Sequence, residues 1–336
     1  MKNVKKVIFI AEAGVNHNGD IKKALKLVDL AAAAKADYIK FQIVESSMVS
    51  KFAKKAKYQE TKVKETQKKM LKKYEFEWNT FHKKIIERCK NKKIKFLTSA
   101  FTTEGLEYIK KLNMNCIKIP SGEITNLPYL EKAGKLKKKY FLSTGMSTVI
   151  DIKKAINILI DNGANKKDIT ILHCNTAYPT PFEDANLLCI PYLAKKFNMP
   201  VGYSDHTSGI EASIGAVALG AKVIEKHFTI SQKLKGPDHL SSLEFDDLKK
   251  LIFSIRNLEK SMIQKRKIVT KSEKKNLIAA RKSIVAIKFI KKGDKFSEEN
   301  LGIKRPGSGI SPMKWKKILG KFSKRNYKID QLIKLK

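Results

Sequence analysis

Val7-Ile8-Phe9-Ile10-Ala11-Glu12-Ala13-Gly14 is an apolar run broken by a single carboxylate near its end. It is followed by Asp20–Ala36, where Ile21, Ala24, Leu25, Leu27, Val28 and Leu30 recur near helical spacing. Then comes a second apolar run, Tyr38–Val44, with Lys40 and Gln42 set into it. Continuous apolar strands separated by an amphipathic helix describe a parallel βαβ unit, buried on both faces. The pattern continues through Ile94–Phe101, Cys116–Gly122, Tyr140–Met146, Ile169–Tyr178, Pro200–His206 and Lys222–Thr229. Eight such runs predict an α/β fold with a closed (β/α)₈ TIM barrel. No GxGxxG follows the first strand, which argues against a dinucleotide fold.

The bulk composition sets outer limits. The chain has 336 residues, 42% of them hydrophobic, so one barrel plus one small module is the natural division. No apolar run reaches the roughly 18 residues of a membrane span. The basic start before Val7 imitates a signal peptide, but Glu12 interrupts the apolar stretch, so a buried first strand and a cytoplasmic protein are expected. Cys89, Cys116, Cys174 and Cys189 form no CxxC pair, and no disulfide or cysteine zinc site is expected. The net charge of +38 comes almost wholly from lysine, since only six arginines occur, and it is spread over most helix surfaces. Nucleic-acid binders concentrate charge on one face and favour arginine, so no nucleic-acid partner is expected.

Polar residues fall where a barrel does its chemistry, at the C-terminal ends of the strands. Glu12, Lys40 with Gln42, Lys118 with Ser121 and Glu123, Ser143, Thr176 with Tyr178, Ser204 with His206, and His227 all end apolar runs. Residues two apart share a face, so Lys40 and Gln42, Ser204 and His206, and Glu225 and His227 can face the mouth together. His206 and His227 end neighbouring strands and can share a divalent ion, or simply be hydrogen-bonded strand-end histidines. With Glu12 they also imitate a two-His-one-carboxylate iron site. Lys40 and Lys118 would be costly within apolar strands unless paired. They can hold a phosphate and a carboxylate, form buried salt bridges with Glu123 or Glu225, or supply a Schiff-base amine. His173 has the parity of an orienting or core residue, His17 can line the mouth, and His82 reads as a helix-surface residue. Asp238, in Gly236-Pro237-Asp238-His239, can reach a substrate hydroxyl.

Beyond the barrel, the stretch Glu259–Arg281 turns polar and lysine-rich. The expected division is a barrel over 1–260, a linker over 261–282 and a small β module over 283–336. That tail is expected to be too small for an extensive core of its own.

The segments Ala11–Gly19, Ile39–Gln42, Lys118–Glu123, Leu142–Met146, His173–Thr176, Tyr178–Pro181, Ser204–His206, Ile224–Phe228 and Gly236–His239, in this order, resemble the sialic acid synthase family. Lys304-Arg305-Pro306-Gly307 resembles the β-clip, antifreeze-like SAF domain that members carry at their C-terminus. The resemblance implies condensation of phosphoenolpyruvate with an open-chain N-acylated mannosamine and release of phosphate. It places Lys40, Lys118, Ser121, Ser143, Thr176, Tyr178 and Ser204 around phosphoenolpyruvate. Gln42, Glu123, Asp238 and Arg305 would face the sugar, with Glu12 as acid-base group. His206 and His227 would hold a divalent ion, usually manganese, with magnesium or cobalt as alternatives. Arg305 would reach a partner's sugar in a domain-swapped homodimer. The first expectation for the product is N-acetylneuraminate, made from N-acetylmannosamine. The alternative is N,N'-diacetyllegionaminate, made from 2,4-diacetamido-2,4,6-trideoxymannose. Two departures stand out: Ala177, and Thr98-Ser99-Ala100-Phe101-Thr102 in place of the more usual Ser-Thr-Pro-Phe-Asp.

Overall fold

A computed structural model describes residues 6–55, 65–263 and 266–334. The chain divides into two compact units, residues 1–263 and 264–336. In the first, eight parallel strands close into a barrel: β1 (Ile8–Gly14), β2 (Tyr38–Gln42), β3 (Lys95–Ser99), β4 (Cys116–Ile119), β5 (Lys139–Ser143), β6 (Ile169–Cys174), β7 (Val201–Asp205) and β8 (Val223–His227). Among the described residues, seven helices of eight or more residues lie between the strands: α1 (Ile21–Ala33), α3 (Trp78–Lys92), α4 (Thr103–Lys111), α5 (Leu127–Lys135), α6 (Val149–Asp161), α7 (Cys189–Phe197) and α8 (Glu211–Ala218). A shorter α2 (Gln67–Lys72) precedes α3, and α9 (Phe245–Ser261) follows β8. Each strand begins within one residue of its expected start. Most stop short of their expected ends, because the polar residues there belong to loops. Ser121 to Glu123 form a 3-10 turn, and Thr176 and Tyr178 lie beyond β6.

Strand alternation builds two apolar layers and one polar layer. Phe9, Ala11 and Ala13 of β1 point outward into the sheet–helix core, as do Ile39 and Phe41 of β2. Ile10 points inward with Leu97, Cys116, Phe141, Leu172 and Val223, and these six close the barrel interior as a dry floor. Burying each large side chain of this kind contributes about 1.5–3 kcal/mol. Two residues further along the same strands, the inward positions become Glu12, Ser99, Lys118, Ser143, Cys174 and Glu225. The floor thus carries a ring of polar groups above it.

Local capping fixes where the helices begin. Thr148 accepts from Asp151 N while the Asp151 carboxylate accepts from Thr148 N, a reciprocal cap that starts α6. Asp20 caps α1 by accepting from Lys22 N. No described helix is long and apolar enough to cross a membrane.

The second unit begins with two helical turns, α10 (Lys271–Lys274) and α11 (Leu277–Ala280). An antiparallel pair follows, β9 (Ser283–Ala286) and β10 (Leu301–Lys304), and then a last turn, α12 (Trp315–Ile318). This unit has a small core of its own, formed by Ile284, Ala286, Ile290, Phe296, Leu301, Ile318, Tyr327 and Ile333. Backbone bridges Ile290–Tyr327 and Lys295–Phe322 let a small unit enclose it without long strands.

Candidate active site

The register of β1 against its two neighbours sets the centre of the site. Glu12 pairs with Lys40 on β2 and with His227 on β8. Ser204 of β7 pairs with Glu225 of β8, and Ser99 of β3 pairs with both Gln42 and Lys118. These residues share a cavity of about 440 Å³ at the C-terminal ends of the strands. Ser121, Ser143, Thr176, Tyr178, His206 and Asp238 line it too. One expected residue is not brought there. Glu123 is not among the lining residues, and its carboxylate accepts from Asn126 Nδ2 at 2.6 Å. Arg305 lies on the second unit, exposed just after β10.

Charge in the chamber is closely matched. Lys40 Nζ lies 2.9 Å from Glu12 Oε1 and 3.8 Å from Glu225 Oε1. Lys118 Nζ donates to Glu225 Oε1 at 2.7 Å, and Ser204 Oγ donates to the same oxygen at 3.1 Å. The Glu225 pairing weighed from the sequence is therefore present, while Glu123 pairs with neither lysine. Burial alone would push the Glu225 carboxyl up, but Lys118 and Lys40 outweigh it and hold it low. Burial also acts to lower Lys40, yet Glu12 and Glu225 raise it. An ammonium so held is charged, which removes the Schiff-base reading for Lys40. Glu12 goes the other way: burial raises it, with Glu225 adding repulsion against the pull of Lys40. Burial and the Glu12 charge lift Asp238 to about 7.

Both histidines are neutral. Burial takes His206 down to about 4 and His227 well below the usual imidazole range. His206 Nδ1 donates to the Asn175 carbonyl, which leaves the Nε2 lone pair facing Tyr178 Oη at 3.2 Å and Ser204 Oγ at 3.4 Å. The His206 ring stacks on Tyr178 at 4.1 Å and sits 5.5 Å from the His227 ring. Three buried atoms here have no hydrogen-bond partner: Glu12 Oε2, Glu225 Oε2 and His227 Nδ1. Neutral imidazoles with one fixed tautomer and one unsatisfied nitrogen suit a divalent ion. Among the described residues, no group of three or more His, Cys, Asp or Glu side chains is arranged to hold a metal. The iron triad with Glu12 is therefore not assembled among them, and Glu12 Oε1 is engaged by Lys40 and by Gln42 Nε2 at 3.0 Å.

Gly14 permits this convergence. It has φ +51 at an irregularity in the β1–β2 register. A Cβ there would lie 3.3 Å from Asp238 Oδ2 and 3.4 Å from both Glu12 Oε1 and His227 Cε1.

Three other histidines can now be placed. His173 Nε2 pairs with the Ala185 carbonyl at 2.9 Å and its ring stacks on Tyr203, as its parity indicated. His17 does not line the mouth; it is buried among Phe41, Phe76 and Phe81. His82 is not a surface residue but is buried, with Nδ1 3.2 Å from Tyr108 Oη. Helical spacing cannot give the facing of a lone histidine when aromatic neighbours outside the helix cover it.

Sequence reasoning passed over Ser99 and a group of apolar lining residues: Val15, Val44, Met48, Met70, Leu71 and Tyr74. Ser99 carries the same strand-end signal as its neighbours. The apolar group lies in loops and in α2, where no strong periodicity marks it.

A closed barrel with buried charge at the C-terminal ends of its strands is the architecture of a (β/α)₈ enzyme site. The NeuB family model matches residues 27–267 and the SAF domain model matches residues 281–336, and the chain belongs to this sialic acid synthase family. It is 49% identical over 334 residues to N,N'-diacetyllegionaminic acid synthase of Campylobacter jejuni, covering 98% of this chain and 100% of that protein. It is 39% identical over 317 residues to the Legionella pneumophila protein of the same name, covering 93% of this chain and 89% of that one. Among solved structures, the N-acetylneuraminic acid synthetase of Leptospira borgpetersenii, crystallised with citrate, matches with a TM-score of 0.72 and 33% identity. That match covers 82% of this chain and 91% of the other.

Proposed function

We propose that this protein condenses phosphoenolpyruvate with 2,4-diacetamido-2,4,6-trideoxymannose to form N,N'-diacetyllegionaminate and phosphate. The observation that carries the reaction class is the convergence of Lys40 and Lys118 on one carboxylate oxygen of Glu225, inside the strand-end cavity. Two ammoniums held ready at strand ends suit a substrate with both a phosphate and a carboxylate. Ser121, Ser143, Ser204, Thr176 and Tyr178 line the same chamber and supply hydroxyl donors. The choice of sugar rests on the full-length similarity to the two diacetyllegionaminic acid synthases. It moves the diacetamido sugar ahead of N-acetylmannosamine, the sequence's first expectation.

In this reading C3 of phosphoenolpyruvate attacks the sugar aldehyde. Glu12 delivers a proton to the aldehyde oxygen as the bond forms. It then takes one from the water that adds at C2; the C2–O bond to phosphate breaks with its electron pair on phosphate, which carries off the proton of the new C2 hydroxyl as that becomes the keto group. A carboxyl raised by burial, with one oxygen unpartnered, suits both transfers. Gln42 orients Glu12 through its amide. A divalent ion, manganese first, would be held by His206 and His227 and would supply Lewis-acid polarisation of the aldehyde. Asp238, which lines the same cavity, would meet a sugar hydroxyl. Arg305 and Glu123 are assigned to the sugar by family resemblance, and the proposal includes a homodimer in the cytoplasm.

The test supplies purified protein, phosphoenolpyruvate and manganese with each candidate sugar and measures phosphate release. Higher kcat/KM with the diacetamido sugar is expected. Higher kcat/KM with N-acetylmannosamine would restore the N-acetylneuraminate reading, and no release with either would end the synthase reading.

A further inference from the structure

The cavity has two chemically opposite sides. Glu12, Lys40, Lys118 and Glu225 make one charged, whereas Val15, Val44, Met48, Met70 and Leu71, with Gln67 and the Tyr74 phenol as its polar edge, make the other largely apolar. These apolar residues pack on one another as a cluster separate from the main barrel core. Val15, Val44, Met70 and Leu71 are each less than a tenth exposed. The wall is built in place. Ser46 Oγ donates to Glu75 Oε2 at 3.0 Å, tying the loop after β2 to the end of α2. Gly19, at φ +78, lets the β1 loop approach the Lys73 carbonyl, which a Cβ there would meet at 3.1 Å.

Phosphoenolpyruvate has nothing to offer such a surface, since nearly every heavy atom it carries belongs to, or adjoins, a charged group. The wall must therefore face the second substrate. It starts beside the reacting centre, because Val15 follows the Gly14 around which Glu12, His227 and Asp238 gather. We propose that this wall is the surface that reads the distal part of the sugar, accepting the C6 methyl and the C4 acetamido methyl. The inference rests on the synthase reading above and deepens it. 2,4-Diacetamido-2,4,6-trideoxymannose presents three methyl groups, whereas N-acetylmannosamine presents one and sets hydroxyls at C4 and C6. A hydroxyl placed against Met70 or Leu71 would lose water and gain no partner.

A test that leaves the protein unaltered compares 2,4-diacetamido-2,4,6-trideoxymannose with its 6-hydroxy analogue on the wild type. The deoxy sugar should have a kcat/KM about tenfold or more higher, the usual scale for one group in an apolar pocket. Leu71→Asn and Met70→Gln should shrink that ratio to roughly threefold or less while the KM for phosphoenolpyruvate stays put, and Met70→Leu should keep it. Equal efficiency on the two sugars, or a ratio unchanged in both polar variants, would overturn the inference. Failure of the synthase reading shows differently, as no phosphate release by the wild type with any diacetamido sugar.

Discussion

Lys118 Nζ and Lys40 Nζ stand 2.7 Å and 3.8 Å from the same oxygen of Glu225, and all three side chains are nearly dry. Glu225 thus occupies the cationic pair that an anionic substrate would claim. Glu225→Gln leaves Lys118 without a carboxylate and Lys40 with Glu12 alone. Breaking one side of a buried pair costs about 3–5 kcal/mol, so the variant should melt earlier. Inorganic phosphate or phosphoenolpyruvate should then raise its melting temperature more than that of the wild type. Equal shifts in thermal denaturation would count against the exchange.

Lys118→Met keeps length and apolar bulk but removes one cation from the anion site. A charged hydrogen bond contributes about 1.5–3 kcal/mol, so kcat/KM for phosphoenolpyruvate should fall roughly 10- to 100-fold. The KM for the sugar should change little. Steady-state kinetics with each substrate varied in turn would read this. A loss confined to the sugar would reassign Lys118.

A second buried pair lies behind the histidines. Asp205 Oδ2 and Lys226 Nζ are 3.0 Å apart and fully buried, each one residue before a histidine of the site. Asp205 also accepts from Thr207 N at 2.8 Å, Thr207 Oγ1 at 2.7 Å and Ser213 Oγ at 2.6 Å. Asp205→Asn should cost about 3–5 kcal/mol in urea unfolding, because an ammonium would be left without its counter-charge. A change below about 1 kcal/mol, the range of an exposed pair, would show that water reaches the pair.

His17 and His82 carry a pH signature far from the chemistry. Burial lowers them to about 3 and about 4. Above the ordinary imidazole value of about 6.5 neither state binds the proton and no stability is at stake. As pH falls from about 6.5 toward about 4, the unfolded chain takes up protons that the folded core refuses, and stability drops. His82→Gln should flatten that acid-side slope by up to about 1.4 kcal/mol per pH unit. Urea midpoints at neutral and acid pH measure it. An unchanged slope would mean that His82 protonates in the folded protein.

Much of this site can be read from parity alone. Glu12, Lys40 and His227 fall at the ends of apolar runs, and in parallel register they meet where the barrel closes. What escaped has a common physical cause. Met48, Met70, Leu71 and Tyr74 sit in a long excursion between β2 and α3, where the six-residue α2 gives too little periodicity to mark a buried face. His82 was misjudged because the rings of Tyr108 and Phe96, from other elements, cover it. The tail is too small for an extensive core, and the small one it has, from Ile284 to Ile333, is enclosed through bridges between short segments that carry no periodicity. The charged partner of Lys118 was open between Glu123 and Glu225, and only the barrel register decides for Glu225.

The proposed reaction forms a carbon–carbon bond between phosphoenolpyruvate and the diacetamido sugar in this chamber. Incubating the protein and manganese with phosphoenolpyruvate labelled with carbon-13 at all three carbons, and with 2,4-diacetamido-2,4,6-trideoxymannose, tests it by mass spectrometry. The account requires an acid with the mass of sugar plus pyruvate, carrying all three labels, and its loss in His206→Ala and Lys40→Met. Labelled pyruvate alone, or unreacted phosphoenolpyruvate, would contradict it.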